Sequence, residues 1–129
     1  MSQKIKTDGK KMQAFITRAT QGVPREWGDG AILDAIKQII EMILPYIMQC
    51  FPMGTKFART RFVNTAQRMS GFRERQIQSL CESQACRVSG VGPDEGKAVA
   101  ESAANCVIET LPSMSADELG DLFDEMYGA

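Results

Sequence analysis

The chain has 129 residues, 43% hydrophobic and 24% charged, with a formal net charge of -1. A length of this order fits one domain that buries enough apolar surface to fold without disulfide staples, and the balance of residue types excludes a disordered chain. With no histidine in it, the chain lacks the commonest general base and the commonest metal ligand.

The near-zero total hides a lopsided layout. Residues 1–87 carry 14 Lys and Arg against 7 Asp and Glu, a surplus of +7, whereas residues 88–129 carry Lys97 against 9 acids, a surplus of -8. A basic body and an acidic end point to a binding protein whose charges choose a partner. The start, MSQKIKTDGKKMQ, is polar and basic with no apolar run behind it, which predicts no signal peptide. The most apolar stretch, Ala31 to Phe51, is interrupted by Asp34, Lys37 and Glu41, so it is not expected to span a membrane. Four cysteines (Cys50, Cys81, Cys86, Cys106) in such a chain are expected as reduced thiols in a cytoplasm-like compartment or inside an assembled particle.

In chain order, the first predicted helix runs from about Gly9 to Thr20. Met12, Phe15, Ile16, Ala19 and Val23 lie on one face, and Gly22 and Pro24 stop it. Trp27, in the turn-rich VPREWGDG, is placed against the core because of its apolar area. The second helix, about 31–51, has an unusually wide apolar stripe (Ile32, Leu33, Ile36, Ile39, Ile40, Ile43, Leu44, Ile47, Met48, Phe51) and suits a central position. Asp29 is its expected N-cap, Pro45 is expected to kink or break it, and Pro52 and Gly54 to end it. A third helix is expected from about Thr55 to Met69, with Ala58, Phe62, Ala66 and Met69 on one face, and a fourth from about Phe72 to Val88, with Ile77, Leu80, Cys81, Gln84, Ala85 and Val88 inward. The fifth begins near Pro93, with Asp94 and Glu95 at its positive end, and ends at Leu111-Pro112. Its inward face is small: Ala98, Val99, Ala103, Cys106, Val107. The sixth opens on the capping box Ser115 to Glu118. Leu119, Leu122, Phe123 and Met126 then form an apolar stripe beside Asp117, Asp121, Asp124 and Glu125. No segment alternates as a strand does.

Sharper motifs fail on their chemistry. Gly90 to Ala98, GVGPDEGKA, lacks the phosphate-loop spacing, places Ala98 where a hydroxyl should hold magnesium, and puts Asp94 and Glu95 where they would repel phosphate. Cys81 and Cys86 stand about 140° apart around a helix and cannot chelate from one face. Cys86 beside Arg87 is a weak nucleophile candidate without a histidine partner. No cofactor and no metal are therefore expected, and no enzyme.

Two features remain. Lys56, Arg59, Arg61, Arg68, Arg73 and Arg75 form a basic run with Glu74 as its only acid, suited to an acidic protein surface or to phosphates. Two helices joined at Ser70-Gly71 also admit a helix-turn-helix reading, with Arg73, Arg75, Gln76 and Gln78 outward, although the spacing departs from the tight pattern. The acidic sixth helix, with its stripe Leu119, Leu122, Phe123 and Met126 and its acids Asp121, Asp124 and Glu125, is expected to dock on a basic surface. That surface is either its own body or a partner's. The sequence thus predicts an all-α, single-domain bundle of five or six helices around the helix at about 31–51, with a body at about 9–111 and a C-terminal amphipathic helix at about 115–127. The expected function is non-enzymatic assembly, through a protein partner or further copies of itself, as in a viral or phage particle. The alternative is a small nucleic-acid-associated protein that binds phosphates through residues 56–75, with the acidic helix as an autoinhibitory cover.

Overall fold

A computed structural model of the chain describes residues 9–21, 23, 30–50, 57–85, 87–88 and 93–127, with residues 30, 31, 45, 47–50, 93 and 94 described through their backbone alone. Among the described residues six helices make up a compact bundle: α1 (Lys10–Thr20), α2 (Gly30–Cys50), α3 (Ala58–Gln67), α4 (Gly71–Ala85), α5 (Pro93–Ser113) and α6 (Ala116–Tyr127). No strand occurs among the described residues.

The core follows the apolar periodicity. Met12, Phe15, Ile16 and Ala19 turn one face of α1 inward, and Ala35, Ile36, Ile39, Ile40, Ile43 and Leu44 do so on α2, where none is more than 1% exposed. Each fully buried Ile or Leu side chain contributes ~1.5–3 kcal/mol. The helix runs on across position 45 to Cys50, so the break expected at Pro45 does not occur. Burial of the stripe up to Leu44 outweighs the ~3 kcal/mol cost of a proline inside a helix. α2 packs against α1, α4 and α5, and α5 shares the centre with it by touching α1, α2, α3 and α4. Small residues permit this close approach. The buried face of α5 is Val99, Ala100, Ala103, Ala104, Val107 and Leu111. Ala98, expected on that face, is exposed, because the helical register carries it to the solvent side with Lys97.

Helix ends differ from expectation by a few residues. α3 begins at Ala58, and Thr55 and Lys56 lie outside the described residues, as do Trp27, Asp29, Pro52 and Gly54. α4 stops at Ala85, where the Arg87 N–H closes a tighter turn by donating to the Gln84 carbonyl at 3.0 Å. α5 passes Pro112 by one residue. The start of α4 is fixed by Ser70, whose hydroxyl accepts from the Arg73 N–H at 3.4 Å, and Glu74 in the first turn complements the helix dipole. No described helix is long and apolar enough to cross a membrane.

Ile36→Ala, Ile40→Ala and Ile43→Ala should each destabilise the fold by ~2–5 kcal/mol. Urea melts read the loss, and less than about half a kcal/mol at all three would contradict the central place of α2.

Candidate interaction surface

The acidic helix docks on its own chain. Ser115 and Glu118 form the reciprocal cap: the Ser115 N–H donates to Glu118 Oε1 at 3.0 Å and the Glu118 N–H to Ser115 Oγ at 3.1 Å. The helix then lies on α3 and α1. Leu119, Leu122 and Met126 are buried and Phe123 half-buried. The Phe123 ring stacks between Phe62 of α3, at 5.8 Å between centroids, and Tyr127, at 4.6 Å.

Three carboxylates of the α6 segment find partners far away in sequence. Arg18 Nη1 donates to Glu118 Oε2 at 3.1 Å, and Arg18 Nη2 reaches the Ser113 carbonyl and hydroxyl at 3.3 Å each. Arg59 Nε donates to both Asp124 oxygens, at 3.0 and 3.2 Å. Glu125 accepts the backbone N–H groups of Lys11 at 3.0 Å and Met12 at 2.9 Å. α1 has Gly9 at its N-cap, no side-chain cap and no acid in its first turn, so Glu125 supplies both the missing acceptor and the missing negative charge. Two glycines make room for these heads. A Cβ on Gly9 would overlap the Glu125 carboxylate, and a Cβ on Gly120 would overlap the Arg59 guanidinium. Asp117 and Asp121 remain exposed.

The basic run is divided by this docking. Lys56 lies outside the described residues. Arg59 is engaged by Asp124. Arg73 is half-buried, donates to Gln76 Oε1 at 3.0 Å and lies 5.8 Å from the centre of the Phe72 ring. Arg61, Arg68 and Arg75 are exposed, and their side chains make no hydrogen bond or ion pair with any described residue. Arg75 stands in a shallow groove of about 480 Å³ along the outer face of α4, lined there by Phe72, Arg75, Gln76, Ser79, Leu80 and Ser83. These positions recur at helical spacing and lie nearly opposite the buried face of Ile77, Cys81, Gln84 and Ala85. Phe72 is 59% exposed. Leu80, expected inward, is half-buried and packs against the core while also bordering this groove, whereas exposed Phe72, given no role by the helical spacing, was the missed signal. Sequence reasoning also missed Arg18, whose partners are set by tertiary packing alone. α3 and α4 pack on other helices far more than on each other, so they do not form the packed pair of a helix-turn-helix.

The described thiols are poor nucleophiles. Burial pushes Cys81 up to about 12, helped by Cys106 and Glu82, and pushes Cys106 up to about 11, helped by Glu109. Among the described residues no group of three or more His, Cys, Asp or Glu is placed to hold a metal ion.

In the native protein, Cys81 and Cys106 should resist alkylation near neutral pH, and urea should make both reactive; intact-mass analysis decides, and rapid native labelling of both would contradict their burial. Glu118 gives a pH signature. Its hydrogen bonds from the Ser115 backbone and hydroxyl, then Arg18, hold its carboxyl below the ordinary value of 4.5. A carboxyl lowered in the folded state contributes stability above the unfolded value and loses it as pH falls through the folded one. The stability gap between the natural chain and Glu118→Gln should therefore be full near neutral pH and close in acid. A gap independent of pH in thermal melts would refute the role of the charge.

Compared with protein-family models, with curated proteins and with solved structures, the chain matches none.

Proposed function

We propose that the chain is a non-enzymatic assembly subunit that binds acidic protein surfaces, including those of further copies of itself, through the outer face of α3 and α4. The observation that carries this reading is the set of exposed arginines left over after α6 has docked: Arg61, Arg68 and Arg75 make no ion pair with a described residue, and Arg75 lies in the groove beside exposed Phe72. An exposed aromatic next to an unpaired guanidinium is the composition of an interface anchor, apolar contact supplying affinity and charge supplying orientation. Asp117 and Asp121, exposed on α6, are complementary acids on the same chain. Contact between the acidic face of one copy and the basic face of the next is head-to-tail and builds rings or filaments, the geometry of a particle component.

A second reading, contact with nucleic acid, is favoured by the same three arginines. As a cover, α6 engages Arg59 and leaves the other three open, so phosphate binding would not require its release.

Arg61→Glu, Arg68→Glu and Arg75→Glu together should lower the assembled mass read by light scattering. Stability should change by no more than about 0.5 kcal/mol per site, because all three are exposed. An unchanged mass would overturn the assembly reading. A nucleic-acid shift assay at two salt concentrations separates the readings. Binding by the natural chain that weakens with a slope of about -0.9 per phosphate neutralised, and disappears in the triple variant, would put the second reading first.

A further inference from the structure

We infer that the groove between α1 and α3 that holds α6 also accepts the α6 of a second copy, so that two chains exchange their last helices reciprocally. The inference rests on the reading of the chain as an assembly subunit, and it names the partner and a second interface.

The contacts of α6 are those of a detachable unit. Its packing is mainly on α3 and α1 rather than on α5, the helix to which it is joined. Only Met114 and Ser115 connect α5 to α6. Every anchor that holds α6 comes from residues that any other copy offers identically: Arg18, Arg59, Phe62 and the first N–H groups of α1. The cap between Ser115 and Glu118 lies within the moving segment, so opening the hinge does not undo the start of α6. The stripe of Leu119, Leu122 and Met126 is fully buried in the closed chain. Once opened, it needs a groove that is apolar at the centre and carries cations at Arg18 and Arg59 and a helix N-terminus at its end. A second copy supplies that combination.

Two exchanged chains bury the same α6 interface twice, as two closed chains do. The balance between them is therefore set by concentration and by the hinge rather than by the interface. The hinge is tied to the receiving body, with Arg18 on Ser113 and Gln67 Nε2 donating to the Met114 carbonyl at 3.3 Å. Those ties hold the end of α5 on its own chain whichever α6 occupies the groove. Reciprocal exchange closes on a dimer, whereas the α3–α4 contact is open-ended, so the two interfaces together give an assembly whose repeating unit is an exchanged pair.

The test uses two full-length variants. The first reverses the groove (Arg18→Glu with Arg59→Glu) and the second reverses the helix (Glu118→Arg with Asp124→Arg). Each alone sets like charges against each other, both in its closed form and in its own dimer. Mixed at high concentration, they restore opposite charges at all four places by exchange. All four positions are solvent-exposed, and circular dichroism confirms that both variants fold. Native mass spectrometry should then show the mixed dimer exceeding either same-variant dimer by about tenfold or more at low salt, with the excess shrinking at high salt. A mixture that stays monomeric, or pairs only in statistical proportion, would overturn the exchange. Isotope-labelled and unlabelled natural chains give an independent measure. Labelled–unlabelled dimers should appear on mixing at high concentration, and a natural chain that stays monomeric at every concentration would also overturn it. The triple variant at Arg61, Arg68 and Arg75 keeps the exchange groove intact. Its loss of assembled mass beyond the dimer reports on the α3–α4 surface separately, so either reading can fail without the other.

Discussion

α1 begins without what a helix start requires. Gly9 offers no side-chain acceptor, and the residues that follow, Lys10 and Lys11, carry the wrong sign for the positive end of the dipole. The chain solves this from its other end, where Glu125 accepts two of the unpaired N–H groups. Around that contact the rest of α6 is arranged: the apolar stripe seats against α3, Arg59 closes on Asp124, and Arg18 spans the α5–α6 junction. The first helix and the last are thus each incomplete without the other. The bundle of α2, α4 and α5 carries the bulk of the apolar core beside them.

This closure joins residues a hundred or more positions apart. Closing so long a loop costs conformational entropy before the contact returns anything, although the cost rises only logarithmically with length. The α6 contact is therefore favourable mainly after α1 and α3 are already in place. Ion pairs as exposed as these contribute ~0–1 kcal/mol each. Most of the adhesion of α6 comes from Leu119, Leu122, Phe123 and Met126, while the carboxylates fix its register along the groove.

How far the sequence could be read depends on the range of the interaction concerned. Local signals were legible: the spacing of Met12, Phe15, Ile16 and Ala19, the isoleucines of α2, and the reciprocal cap of Ser115 and Glu118 all appear where their patterns indicate. The acidic amphipathic helix and the basic run were legible as such, but of the two arginines that the helix meets only Arg59 belongs to that run, and Arg18 does not. That choice is a tertiary matter, because which arginines meet the acids depends on the way α1 and α3 flank the groove. The unbroken run of α2 past Pro45 and the outward turn of Ala98 have the same origin. Packing carries a helix past a local penalty, and register around the α5 axis decides which small residues face inward. The outer groove of α4 stayed hidden because its exposed aromatic, Phe72, stands alone at the helix start, while Leu80 borders it and packs against the core as expected.

Gly120 and Arg59 behave as one character under substitution. In a helix interior alanine is favoured over glycine by about 1 kcal/mol, so glycine at the buried position 120 carries a cost of its own. The Arg59 guanidinium occupies the space that the new methyl group would need. That guanidinium is the far end of a flexible side chain and can swing aside, so a side chain at 120 is expected to displace Arg59 from Asp124 rather than to be forbidden, and positions 59, 120 and 124 should change together.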